Sequence, residues 1–145
     1  MIHVSAVPSS EVGRFWPKLF PHLRSAAEYS HGRYEPEDIV ESILSGDSQL
    51  WIAFEGEEIK GITTTRIATY PRKTCLDMVF LGGEDFFEWK DAMLEVLQRW
   101  ARDCGCDAIE SWGRPGFTRV FKDDGYKMLW QGYELPVAAS EVDDG

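Results

Sequence analysis

The chain has 145 residues, 43% hydrophobic and 13% aromatic, with 25 acids against 15 bases and a formal net charge of −10. This length is enough for one domain with its own core, and the negative charge argues against nucleic-acid binding, which depends on neutralising phosphates with Lys and Arg. No apolar run approaches the roughly 20 residues of a membrane span, no signal-peptide pattern opens the chain, and Cys104-Gly105-Cys106 has no second Cys/His pair to complete a zinc site. A reducing, cytoplasmic setting without membrane association or metal is therefore expected.

In chain order, "IHVSAV" (2–7) alternates as a strand. Residues 9–30 place Val12, Phe15, Trp16, Leu19, Phe20 and Leu23 on one helical face. Pro17 and Pro21 cannot both lie inside one straight helix, so a break near Trp16 is expected, with Pro17 opening a second piece. "EPEDIVESILSG" predicts a helix with Pro36 in its first turn, Ile39, Val40, Ile43 and Leu44 on one face, and Gly46 as stop. Residues 49–83 contain three β-type runs joined by Glu-Gly-Glu-Glu and Pro71-Arg72-Lys73, an antiparallel meander. After Gly83 a helix carries Phe86, Trp89, Met93, Leu97, Trp100, Ala101 and Cys104 along one stripe and stops at Gly105. "DAIESW" (107–112) reads as a short strand, residues 115–125 as a short helix ended by Gly125, and 126–137 as a last strand or a hairpin broken at Gly132. The expected fold is α+β: a mixed, mostly antiparallel central sheet flanked by helices. It forms a single domain over 1–137, followed by an acidic disordered tail over 138–145.

This order resembles the GCN5-related N-acetyltransferase (GNAT) superfamily over about residues 2–137. The carrying stretches are "QLWIAFEGEEIKGITTTRI", "TCLDMVFLGGEDFFEWKDAMLEVLQRWARDCGCDAIESW" and "FKDDGYKM". "GRPGFTRVFKDDGY" is also similar to short GNAT-like proteins of bacteriophage genomes. The resemblance implies that the fourth and fifth strands splay apart around the pantetheine arm of acetyl-CoA. It also implies that the pyrophosphate sits on backbone N–H groups of the turn opening the long helix. Val79, Phe80, Leu81, Gly82 and Gly83 then fall at the cofactor.

The family pattern Gln/Arg-x-x-Gly-x-Gly/Ala is not met there. With Gly83 as its middle glycine, Phe80 and Asp85 take the outer positions; with Gly82, Val79 and Glu84 do. Two readings of this turn stand side by side. Asp85-x-x-Glu88 has the form of a capping box that would occupy the helix's first N–H groups. Alternatively, Gly82 and Gly83 allow the close backbone approach of a modified coenzyme A cradle.

Other departures concern the chemistry. Phe121 stands where many family members carry a tyrosine that protonates the leaving thiolate, and Arg114 where they often carry asparagine. Tyr126 or Tyr133 could replace the missing acid, and Arg114, Arg119 and Lys122 form a basic cluster able to hold an anion. Asp77 and Glu110 are the candidate general bases. Each alternates with apolar neighbours, a pattern that also fits a solvent-facing side chain. His3, His22 and His31 lack metal-ligand spacing. The residues support two functions. One is an acetyl-CoA-dependent N-acetyltransferase or CoA-binding protein with a noncanonical site. The other is a catalytically silent GNAT-fold module that binds a protein partner, for instance a phage-encoded modulator of a host protein.

Overall fold

The computed structural model describes residues 1–111 and 118–138, with the side chains of Thr118 and Arg119 outside the description. The chain divides into two compact units, residues 1–112 and 113–145.

In the first unit, β1 (His3–Val7), β2 (Gln49–Glu55), β3 (Glu58–Tyr70), β4 (Lys73–Gly83) and β5 (Ala108–Ser111) form one sheet in sequence order. The first four strands pair antiparallel, and β5 joins β4 in parallel, because α3 (Phe86–Asp103) carries the chain back between them. Strand alternation then divides the core between two faces. Leu50 and Ile62 meet Leu19 and Leu23 of α1 (Trp16–Glu28) and Ile39 and Ile43 of α2 (Pro36–Leu44). Trp51, Leu76 and Met78 meet Trp89, Met93 and Leu97 of α3.

Pro17 and Pro36 act as their chemistry requires, whereas Pro21 lies inside α1, where it has no N–H to give the helix. A short 3-10 turn, Ser9–Glu11, is separate from α1, and Pro17 occupies α1's first turn, where a missing N–H costs nothing. Pro36 does the same for α2, whose entry is closed by the Glu35 N–H donating to Asp38 Oδ2 at 2.8 Å.

Several expectations are corrected. Leu44 and Cys104 fall at helix ends, where the apolar stripe has already turned off the core, and both are exposed. Trp100 does pack on the stripe as expected, partly buried with its ring 5.4 Å from that of Trp51. No strand forms over 126–137: consecutive Met128-Leu129-Trp130 break alternation, and Gly132 and Pro136 interrupt the rest of the segment. In the second unit α4 (Thr118–Asp123) ends as expected, with Gly125 left-handed at φ 94°. The acidic tail lies outside the described residues from 139 onward.

Two β-bulges interrupt the meander. Between Ala53 and Phe54 of β2, β3 carries the extra residue Lys60, whose carbonyl accepts the Glu84 N–H at 2.9 Å. Between Thr64 and Thr65 of β3, β4 carries the extra residue Val79, since Thr65 pairs with Met78 and Thr64 with Phe80. An inserted residue bends its strand and resets which side chains share a face.

Candidate functional site

Among the described residues the β4–β5 pairing runs from Cys75–Ala108 to Met78–Ser111, and β4 continues, paired with β3, through the Val79 bulge to Gly83. Val79, Phe80 and Leu81 are half-buried there, and Phe80 takes the edge of the Tyr34 ring at 5.0 Å. Gly82 and Gly83 have a packing role. A Cβ on Gly82 would strike the His22 carbonyl of α1 and sit 3.2 Å from the Ala26 side chain, and one on Gly83 would strike β3 at Gly61. The close approach that these glycines permit is thus taken up by the protein's own backbone.

The turn into α3 also departs from the capping-box reading. Asp85 is left-handed, with φ 53° and ψ 47°, and makes no side-chain cap. In that conformation its carboxylate does not fold back on the first helical turn. The Glu88 side chain pairs instead with Lys60 at 3.4 Å, and the Glu88 N–H donates to the Asp85 carbonyl at 2.8 Å. Trp89 fastens the turn from inside, its indole N–H donating to the Glu84 carbonyl at 2.8 Å. A helix N-terminus without a side-chain cap keeps its partial positive charge available to an anion.

On the α1/α2 face of the sheet, four polar side chains converge from three strands. Asp77 and Glu110 are register partners across β4–β5, and Arg66 is the partner of Asp77 across β3–β4. Asp77 is 1% exposed and Glu110 is buried, so neither is the solvent-facing residue that strand alternation also allowed. The Arg66 Nε–H donates to Asp77 Oδ2 at 3.0 Å, and the Tyr70 hydroxyl donates to Glu110 Oε1 at 2.6 Å. Burial pushes the Asp77 pKa up, the Arg66 guanidinium pulls it down, and the facing Glu110 charge adds to the rise; the outcome lies above the ordinary carboxylate value. Its hydrogen bond to Glu110 raises the Tyr70 hydroxyl to about 12.

Neither Arg66 nor Tyr70 stands out in the sequence. Residues 64, 66, 68 and 70 share one face of β3, and that register would have revealed both. Lys122 is exposed in α4, while Arg114 and the Arg119 side chain fall outside the described residues. Tyr126 belongs to the second unit, with its ring 4.8 Å from Phe121 and its hydroxyl raised to about 12 by burial and by Asp124. Among the described residues no group of three or more His, Cys, Asp or Glu could hold a metal ion, and no helix is long and apolar enough to cross a membrane.

No protein-family model and no curated protein matches the sequence. Solved structures match in fold. A putative acetyl transferase from Pyrococcus furiosus is 16% identical with a TM-score of 0.71, covering 94% of this chain and 100% of its own. A predicted acetyltransferase from Clostridium acetobutylicum, solved with acetyl-CoA, is 13% identical with a TM-score of 0.66, covering 94% and 96%. An aminoglycoside N-acetyltransferase in complex with CoA is 15% identical with a TM-score of 0.68, covering 96% of each chain. At such identities the likeness is one of fold. This chain has the GNAT acetyltransferase fold, α+β with a mixed, mostly antiparallel sheet.

Proposed function

We propose that this chain is an acetyl-CoA-dependent N-acetyltransferase with a noncanonical site. The carrying observation is that β4 is bulged at Val79 and leads into an α3 N-terminus without a side-chain cap. A bent strand running into a positive helix end suits an extended thioester with an anionic pyrophosphate. The residues fit coenzyme A in their backbone and not in their side chains. Glu84 and Asp85 add negative charge beside the pyrophosphate, while Glu88 is paired with Lys60.

In this reading the main chain of Val79, Phe80 and Leu81 lines the acyl end, and N–H groups at the start of α3 receive the pyrophosphate. The acceptor amine attacks the thioester carbonyl, a C–N bond forms, and the C–S bond breaks. The proton released by the amine passes to Asp77, with Glu110 as the alternative base, and the upward shift of the Asp77 pKa by burial makes it a stronger base than an ordinary carboxylate. Phe121 has no proton to give, so the thiolate takes one from water.

Calorimetric titration with acetyl-CoA, followed by turnover with a panel of primary amines, tests the proposal. Asp77→Asn is expected to lower turnover by about 10²–10⁴-fold while leaving acetyl-CoA affinity within a few-fold. Absence of acetyl-CoA binding overturns the enzyme reading. The second reading, a silent module that binds a protein, would then stand. Phe121 and the two acids of the α3 turn favour it, as does Phe87, 71% exposed on α3.

A further inference from the structure

Residues 104–107 carry the chain from α3 into β5, and two of them are thiols that flank Gly105. The turn is held on both sides. Toward α3, the Cys104 N–H donates to the Trp100 carbonyl at 2.9 Å, and the Cys106 N–H to the Ala101 carbonyl at 2.8 Å. Toward β4, the Asp107 N–H donates to the Thr74 carbonyl at 2.7 Å, and the Thr74 N–H to Asp107 Oδ2 at 3.0 Å. Between them Gly105 is left-handed at φ 75°, which closes the helix C-terminus.

Covalent geometry keeps the two thiols within reach of each other. Two fully extended trans peptides span only about 7 Å between Cα atoms. The bend at Gly105 shortens that span into the range of roughly 4.4–6.8 Å found for bonded cysteines. What separates the sulfurs is their direction. Cys104 is exposed, whereas Cys106 is half-buried and packs against the core under α3. Burial pushes the Cys106 thiol up, and the Cys104 and Asp107 charges add to the rise, so Cys106 rests protonated. Cys75, the third cysteine, is 4% exposed and out of reach of a dissolved reagent. The turn thus holds one accessible sulfur with a second sulfur waiting beside it.

We propose that Cys104 and Cys106 form a thiol–disulfide exchange site whose co-substrate is a low-molecular-weight disulfide. The Cys104 thiolate attacks one sulfur of that disulfide; the external S–S bond breaks, a mixed disulfide forms, and one small thiolate leaves. Cys106 then gives its proton to water and attacks the Cys104 sulfur, expelling the second small thiolate. The chain's two thiols lose two electrons and two protons in all, and the external disulfide becomes two thiols. With a single residue between the cysteines the ring is strained, and strained, accessible disulfides are the readily reversible ones. Closure also draws Cys106 out of its packing under α3, so oxidation loosens the α3–β5 turn. The site is independent of the acetyltransferase reading, because the 18 residues of α3, about 27 Å of helix, separate it from the turn after β4.

The test incubates the full chain in buffers of reduced and oxidised glutathione, quenches with acid, alkylates free thiols and reads the products by mass spectrometry. Wild-type chains are expected to become two hydrogens lighter. The new bond should lie inside the tryptic peptide that begins at Asp103, which holds both cysteines, and the peptide beginning at Thr74, which holds Cys75, should stay unlinked. Cys106→Ser should stop at the glutathione adduct of Cys104. That adduct should exceed its wild-type level about tenfold or more, because a neighbouring thiol acts at a millimolar or higher effective concentration. Hydrogen exchange at the Cys104, Gly105 and Cys106 amides should quicken in the oxidised chain, while β2 and β3 keep their protection. Equal glutathione adducts in wild type and Cys106→Ser would overturn the site, as would a bond to Cys75 or a dimer linked through Cys104. Circular dichroism checks that the variant is folded; if it is not, the wild-type peptide map decides.

Discussion

Gly61→Ala tests how the turn into α3 is built. Gly61 lies in β3 opposite Gly83, and an added Cβ would come within 2.8 Å of Trp89 Cη2, and nearer still to two other atoms of the indole. Trp89 cannot easily yield. It is 1% exposed, its N–H is committed to the Glu84 carbonyl, and the Phe86 ring stands perpendicular to it at 5.1 Å. Overpacking of this kind costs about 1–3 kcal/mol, while replacing glycine in a strand returns roughly 0.5–1 kcal/mol of conformational entropy. The net loss is about 1–2 kcal/mol, a fall in Tm of roughly 3–10 °C for a domain of this size. Urea denaturation followed by far-UV circular dichroism measures it. Trp89→Phe removes the benzo ring that the added methyl would strike, so Gly61→Ala should cost less in the Trp89→Phe background, with a coupling of about 0.5–3 kcal/mol. Wild-type stability in Gly61→Ala, or strict additivity in the double variant, would refute the reasoning.

At Asp85, a left-handed residue without a cap, Gly should match or exceed Asp in stability. Ala should fall below Asp by about 0.5–1 kcal/mol, because Asp tolerates this backbone better than Ala does; equal losses in both variants would restore the capping reading. Asp85→Gly should also tighten acetyl-CoA by removing a carboxylate from the α3 N-terminus, which calorimetry would report. Because the folded pKa of Asp77 lies above its unfolded value, the folded state binds more protons in the window between them. Stability should therefore fall as pH rises from about 4 through the folded pKa and be level above it. Arg66→Gln removes the lowering partner and should extend that window upward, whereas Asp77→Asn should abolish it; denaturation midpoints against pH decide. Finally, Phe121→Tyr restores a proton donor and should raise turnover with a good amine; unchanged turnover in a variant that binds acetyl-CoA would show that the thiolate leaves unaided.

The helices are legible where composition alone forces the outcome. Trp89, Met93 and Leu97 repeat at helical spacing and are buried on α3, and Pro17 and Pro36 each open a helix where a missing N–H is harmless. The meander is legible from its turns. The site is less so, because it depends on register. Arg66 and Tyr70 meet Asp77 and Glu110 only once β3, β4 and β5 are aligned residue by residue, and one strand's pattern does not contain that alignment. Asp85-x-x-Glu88 has the letters of a cap, but the backbone at Asp85 turns left-handed, and local letters do not reveal that. The glycines of the same turn suggest room for a ligand, whereas the nearest occupants of their space are the His22 carbonyl and Gly61.

The Val79 bulge makes β4 unequal in its tolerance of length change. Losing a residue elsewhere in the strand would turn every later side chain to the opposite face, exchanging the α1/α2 side of the sheet for the α3 side. Losing Val79 would not, because Met78 already faces Thr65 and Phe80 already faces Thr64, with nothing across from the residue between them. Sheet pairing therefore gives Val79 no reason to exist. A chain lacking it should still assemble the sheet, with β4 straightened between Met78 and Phe80. Folding and ligand binding would come apart in that single deletion.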